Sequence, residues 1–555
     1  MTDPRRRRSR LAVTATVAVT LAATLGGAPA RADTPAPAPA VAWTACGDGF
    51  ECATVPAPLD HDRPLGVQIG LALVRQPAAD PARRIGSLLL NPGGPGGSGV
   101  EFARAAARAL PAELQARFDI VGFDPRGIHA GTPLRCFAGY EQALAVLTPL
   151  PFPDTPAEER ARRVSDDRLA AACARHGGAV RDHMSSADAA RDLDLLRRRL
   201  GDPQLTYLGY SYGSLLGQNY ANLFPDRVRA LVIDGVVDPV AWSTGHGADA
   251  RATPVGTRIG SADGAGRTLG EFFRLCDAAG PDCAFSGDAS RRYAALAARL
   301  RGHPATITGP FSGETFTFTH HDLIVVTLSA LYRASIWPDL AFFLDGVQRQ
   351  LTPAVLGRRL ATIRTGLGPA AAAPPDYPND VEGAPGVACS DTLNPRDLPA
   401  WQRAADRAER QYGYFGRFWN WAWSACRSWP AGAGQDWHLG PWTARTAAPV
   451  LIVGNYFDPA TRYQGAQAAA RLLPNSRLLS YAGWGHSAYL IAGNTCVDTA
   501  VTQYLLTGQA PAPGTVCRPA TSPFTPVAPV ALGSTARAAL SGVVLPPGAR
   551  RSFGP

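Results

Sequence analysis

The sequence predicts an α/β architecture, a doubly wound and mostly parallel sheet interrupted by a largely helical cap. Three observations carry the prediction. Short apolar runs at 87–90, 118–123, 205–208, 230–233, 449–454 and 477–481 alternate with helical stretches, the pattern of a parallel sheet covered on both faces. The run at 205–208 meets Gly209-Tyr210-Ser211-Tyr212-Gly213 and then an apolar helical pattern at Leu215, Leu216 and Tyr220, which reads as strand, sharp turn, helix. From about 241 to 439 the strand pattern lapses and helical stretches rich in Ala, Arg and aromatic residues take over.

At 555 residues the chain exceeds what one hydrophobic core usually supports. The expected division is a signal peptide at 1–32, a first part of the sheet core at 33–240, the helical cap at 241–439, a C-terminal part of the core at 440–517 and a Pro/Ala/Gly-rich tail at 518–555. Arg5 to Arg8 and Arg10 precede an uncharged run at 11–30, and Ala30-Arg31-Ala32 has the form of a cleavage site. A secreted, extracellular protein is therefore expected; Arg7-Arg8-Ser9-Arg10-Leu11 leaves both the general and the twin-arginine export routes open. The formal charge of +9 falls to about +4 without residues 1–32, and the basic residues are all arginine, so no nucleic-acid partner is implied. No later stretch is apolar enough to span a bilayer, and no membrane span is expected in the mature chain.

Ten cysteines fit an oxidising compartment. Pairing of neighbours is the simplest expectation: Cys46 with Cys52, Cys136 with Cys173, Cys276 with Cys283, Cys389 with Cys426, Cys496 with Cys517. No C-x-x-C or H-E-x-x-H occurs, so neither a metal nor a cofactor is expected.

Taken in order, 34–40 is a Pro/Ala linker, and the alternation of Val67, Ile69, Leu71 and Leu73 marks a half-buried strand at the antiparallel edge of the sheet. The run at 87–90 enters Asn91-Pro92-Gly93-Gly94-Pro95-Gly96-Gly97-Ser98-Gly99. A G-x-G-x-x-G begins at Gly94, but two prolines and a helical run starting only near 101 argue against a dinucleotide turn. The other use of such a loop is to present a backbone N–H to a developing oxyanion. Asp124-Pro125-Arg126-Gly127 reads as a structural turn whose charged residues brace neighbouring loops. Ser185 with Asp188 forms a capping box for a helix that ends at Gly201. In the C-terminal part, Asn455-Tyr456-Phe457-Asp458-Pro459-Ala460-Thr461 follows one strand, and Gly485-His486-Ser487 follows the next after a helix at 464–473.

A serine hydroxyl needs a base within hydrogen-bond reach and a carboxylate to orient and charge-balance that base. Ser211, Asp458 and His486 supply them in the chain order such sheets use, each just after an expected strand. Asp234 and Asp238 stand as alternatives for the acid. His320 and His321 read as packing or surface residues, and His129 as a residue that could line the site without serving as base.

Asn91-Pro-Gly-Gly-Pro-Gly-Gly-Ser-Gly, Phe123-Asp-Pro-Arg-Gly, Asp188-Ala-Ala-Arg-Asp-Leu-Asp, Gly209-Tyr-Ser-Tyr-Gly, Phe224-Pro-Asp-Arg-Val, Asp234-Gly-Val-Val-Asp-Pro and Asp458-Pro-Ala-Thr together resemble the secreted tripeptidyl aminopeptidases of actinobacteria, α/β-hydrolases related to proline iminopeptidases. The resemblance implies Ser211 as nucleophile, Asp458 as acid, His486 as base, and the N–H groups of Tyr212 and Gly94 as oxyanion donors. Two departures, Arg126-Gly-Ile-His-Ala-Gly and Arg462, bear on the pocket and not on these residues. The expected function is a secreted serine exopeptidase that releases short peptides, tripeptides by the resemblance, from peptides or proteins with a free N-terminus. Such an enzyme must hold an α-ammonium, and Asp391 and Glu382 are the candidate carboxylates. A monomer is expected. An esterase or proline-iminopeptidase-like hydrolase is the alternative, and a non-catalytic binding protein on the same fold a remoter one.

Overall fold

The computed structural model describes residues 40–247, 251–309, 313–366, 377, 379–430, 432 and 436–525. The expected signal peptide, almost all of the 34–40 linker and most of the tail lie outside them. Ten strands form one sheet in the order β1-β2-β3-β5-β4-β6-β7-β10-β11-β12. They are β1 (Thr44–Ala45), β2 (Glu51–Pro58), β3 (Gln68–Gln76), β4 (Gly86–Asn91), β5 (Phe118–Phe123), β6 (Leu205–Tyr210), β7 (Val228–Asp234), β10 (Val450–Phe457), β11 (Ser476–Trp484) and β12 (Val516–Cys517), while β8 (Ala305–Thr308) and β9 (Thr315–Phe318) make a separate hairpin. From β5 through β12 every pairing is parallel; β1, β2 and β3 add antiparallel partners on one side. β4 and β5 are buried along their whole length, as is β6, which is why they read as continuous apolar runs rather than alternating ones.

The alternating strand is β3, but it is not the edge: β2 and then β1 lie outside it. β2 escaped the pattern because Pro56 and Pro58 interrupt it, and it pairs residue for residue with β3 across a hairpin. β11 is also longer than its apolar run and carries on through Gly483 to Trp484, and β12 follows it. The helix Ser186–Arg199 is capped by the Ser185 hydroxyl, which accepts from Asp188 N–H; the Asp188 carboxylate returns to the Ser185 hydroxyl at 3.0 Å instead of closing the box on its N–H.

Between β7 and β10 the described chain forms helices and the β8–β9 hairpin and runs irregularly over 436–449, with helices including Ser261–Ala279, His320–Leu331, Trp337–Gln348, Gly383–Asp391 and Leu398–Tyr412. All five disulfides join the expected neighbours. Among the described residues no helix is long and apolar enough to cross a membrane. Asp124 and Arg126 do brace loops: Asp124 accepts from the Ser98 hydroxyl and from Val100 and Ala130 N–H, and the buried Arg126 forks onto Asp192 at 2.7 Å while donating to Pro58 and Leu59 carbonyls.

The helix Gly99–Ala106 lies on β5 with backbone touching backbone. A Cβ on Gly122 would stand 2.1 Å from the Gly99 carbonyl oxygen, and one on Gly99 2.0 Å from that of Phe123. Gly122→Ala should therefore destabilise the protein by about 3 kcal/mol, because neither backbone can retreat. Thermal denaturation should show a clearly lower Tm, whereas Gly270→Ala, whose Cβ would meet nothing within 4 Å, should leave it unchanged or raise it.

Candidate active site

The site is built on the ends of β4, β6, β7, β10 and β11, consecutive in the sheet. Ser211 closes β6 with φ 56° and ψ −123°, a conformation that costs a non-glycine residue free energy and persists only where its surroundings impose it. The surroundings are tight. A Cβ on Gly209 would stand 2.4 Å from the Gly213 carbonyl oxygen, and one on Gly93 2.9 Å from both Ser211 Cβ and Tyr212 N. The glycine loop after β4 is thus pressed against the Ser211 turn. Tyr212 is the first residue of the helix Tyr212–Leu223, so its N–H has no partner inside that helix.

Asp458 follows β10. One carboxylate oxygen accepts from Ala460 and Thr461 N–H at 2.8 Å each, and the other from the Thr461 hydroxyl at 3.0 Å. His486 Nδ1 lies 3.0 Å from both oxygens; with a carboxylate there, Nδ1 carries the proton and donates it, which leaves Nε2 free to accept. The His486 N–H donates to the Tyr332 carbonyl at 2.9 Å, and the Tyr332 ring stands edge-on to the imidazole with centroids 4.9 Å apart. The segment between β7 and β10 therefore touches the imidazole directly.

Asp234, at the end of β7, ties these loops together. Its carbonyl accepts the Ser211 N–H at 2.8 Å, and its carboxylate accepts Ala488 and Tyr489 N–H at 2.8–3.1 Å. Burial pushes this carboxyl up to about 7, against the pull of those backbone donors. A Cβ on the next residue, Gly235, would stand 3.1 Å from His486 Cε1 and 3.3 Å from Thr461 Oγ1. Asn455 adds two bonds from its amide to the Gly485 and Ser487 carbonyls. Asp458 and His486 are thus in contact, and Ser211 joins them through Asp234 and Gly235; among the described residues the Ser211 and His486 side chains share no direct hydrogen bond. Such bonds are often long in a free site and tighten only with substrate bound.

The other candidates fall elsewhere. Asp238 caps the helix Pro239–Ser243 and meets His246 at 2.8 Å. His320 and His321 are within 4.0 Å of Asp154. Asp391 is buried, with its oxygens accepting from the Ser186 N–H at 2.7 Å and hydroxyl at 2.6 Å. Glu382 is fully buried; one oxygen accepts from the Tyr377 hydroxyl at 2.6 Å and Cys136 N–H at 3.4 Å, and the other has no partner among the described residues. Its carboxyl is raised by that burial. Among the described residues one group has metal-ligand proximity, His183 with Asp188 and Asp436, but its members already pair with each other and with Arg191. Sequence reasoning weighed Asp234 as an acid and overlooked Thr461 and Tyr332. Asp234 had a signal, a carboxylate at a strand end; the contacts of Tyr332 had none.

Comparison with known proteins identifies the family. A family model described as alpha/beta hydrolase fold matches residues 86–253, and one described as TAP-like protein matches residues 411–517. The chain is 30% identical to serine protease Hip1 of Mycobacterium tuberculosis, over 91% of this chain and 96% of that protein. It is 32% identical to the tripeptidyl aminopeptidase of Streptomyces lividans, over 85% and 84%, and 34% identical to carboxylesterase B of Mycobacterium tuberculosis, over 84% and 86%. The chain therefore belongs to the α/β-hydrolase family that contains these proteins, and it is a hydrolase of the serine peptidase type.

Proposed function

We propose that the protein is a secreted exopeptidase that releases short peptides, tripeptides in the first place, from free N-termini through an acyl-enzyme. The observation that supports the reading is the Asp458–His486 contact, whose His486 loop Asp234 links to the strained Ser211 turn. His486 Nε2 takes the Ser211 proton as the serine oxygen attacks the carbonyl carbon. The carbonyl oxygen gains negative charge and is met by the Tyr212 and Gly94 N–H groups, an arrangement worth roughly 3 kcal/mol for each donor. The C–N bond breaks as the same proton passes to the leaving amine, and water then repeats the sequence on the ester to free the peptide and Ser211. Glu382 is the better supported acceptor for the substrate ammonium, because one of its oxygens has no partner among the described residues while both of those of Asp391 are engaged. The five disulfides support export, with cleavage after residue 32, and the protein acts as a monomer.

A tripeptide anilide with a free N-terminus should be turned over at least tenfold faster than its N-acetylated form. Equal rates would overturn the exopeptidase reading and favour the second one, an esterase, which the carboxylesterase B relative supports.

A further inference from the structure

Behind the Ser211 turn lies a buried polar cluster with no part in the chemistry above. The Ser186 hydroxyl, on the first residue of Ser186–Arg199, meets Tyr212 OH at 2.5 Å and Asp391 Oδ2 at 2.6 Å, and the Ser186 N–H donates to Asp391 Oδ1 at 2.7 Å. All three residues are buried. Tyr212 is also the residue whose backbone N–H heads the nucleophile helix, and its ring packs against Trp242 with centroids 6.0 Å apart. Asp391 ends the helix Gly383–Asp391, which the Cys389–Cys426 disulfide anchors. The other end of that helix abuts the glycine loop: a Cβ on Gly96 would stand 3.1 Å from Ala384 Cβ and N. One short helix thus bears on both sources of the oxyanion donors.

We propose that Asp391 is a positioning residue for the oxyanion hole: through Ser186 it fixes the Tyr212 side chain and so aims the Tyr212 N–H, while its helix holds the Gly94 loop. The proposal rests on the reading of Ser211 as nucleophile and of Tyr212 as donor. What the cluster requires is a hydrogen-bond pattern and not a charge. An ionised Asp391 accepts both Ser186 donors, and the Tyr212 hydroxyl then donates to Ser186. A neutral Asp391 donates to the Ser186 oxygen, and the Ser186 hydroxyl turns to Tyr212. Burial, reinforced by the like charge of Asp188, pushes the Asp391 carboxyl up to about 7, so both patterns are accessible near neutrality. A ligand for a substrate ammonium would need the charge.

This difference sets the test. Two substrates are used on the full chain, the tripeptide anilide and a simple p-nitrophenyl acyl ester that carries no ammonium. Asp391→Asn keeps an acceptor for the Ser186 N–H and a donor for its hydroxyl, so kcat on both substrates should stay within about threefold of the native value. Asp391→Ala removes both, and kcat should fall roughly ten- to a hundredfold on both with KM little changed, the cost of a misaimed donor. Ser186→Ala and Tyr212→Phe should each lower kcat on both substrates, and the double variant should be no worse than the poorer single one, since they break one chain of contacts. These two carry the test should Asp391→Ala fail to fold. The proposal is overturned if Asp391→Asn loses peptide turnover but keeps the ester, if Asp391→Ala keeps native kcat on the ester, or if the Ser186 and Tyr212 effects multiply. Labelling of the native protein at Ser211 by a fluorophosphonate is read separately: its failure removes the underlying nucleophile assignment, whereas labelling with unaffected variants removes only the positioning role.

Discussion

Ser211→Ala should lower kcat on the tripeptide anilide by about 10⁴-fold or more and abolish fluorophosphonate labelling, with circular dichroism and Tm unchanged. The size of the loss follows from the engagement of the neighbouring hydroxyls; that of Thr461 is bonded to Asp458 on the Nδ1 side of the imidazole. Ser214, one turn on, is fully buried and its oxygen accepts the Val237 N–H; the Ser487 hydroxyl faces the Asp234 carbonyl at 3.4 Å. Stability should hold because the Ser211 turn is imposed by its neighbours rather than by its hydroxyl: the Ser211 N–H stays bonded to Asp234, and alanine pays the same strain at φ 56° that serine does. Residual turnover above a hundredth of native would mean that a nucleophile other than Ser211 does the work.

What could be read from the sequence was what is local. The Ser211 turn announces itself because its glycines are forced by contact: a Cβ on Gly213 would stand 2.7 Å from Asn91 Oδ1 and one on Gly209 2.4 Å from the Gly213 carbonyl oxygen, so neither would fit. The Asp458 and His486 loops sit directly after β10 and β11, whose cores are apolar enough to see. The pairing of cysteines was legible for the same reason, since the pairs are at most 37 residues apart. What escaped is what the fold supplies from afar. β12 is two residues long; it pairs with β11 and is tied by the Cys496–Cys517 bridge to the helix Thr495–Thr507, so no run of residues marks it. β2 is a strand because β3 offers it an edge, and β1 because β2 does. Ser186 and Asp391 meet across 205 positions, and Tyr332, midway along the segment between β7 and β10, reaches His486 beyond β11. None of these partners can be inferred from spacing. Asp391 was legible as a carboxylate near the site, but not as one whose oxygens are already engaged.

Asp458→Asn should lower kcat by roughly 10³- to 10⁴-fold while the protein stays folded and KM changes little. The loop survives because one oxygen of the carboxylate, the acceptor for Ala460 and Thr461 N–H, is also available in the amide. The other becomes an NH₂ group facing His486 Nδ1, so the imidazole must accept there and carry its proton on Nε2, where it can no longer take one from Ser211. Asp234→Asn is the matched control. Its carboxylate serves Ala488 and Tyr489 N–H and not the imidazole, so one retained oxygen preserves much of the loop and the loss should be about tenfold, carried by a displaced His486 rather than by the wrong tautomer. The two losses also differ in kind: a displaced base should still give a pH profile governed by His486, whereas the wrong tautomer should leave a profile that climbs as hydroxide takes over the proton transfer. If instead Asp234→Asn proves as damaging as Asp458→Asn with the same climbing profile, the carboxylate that orients His486 is the one on β7, and the loop after β10 serves only to support it.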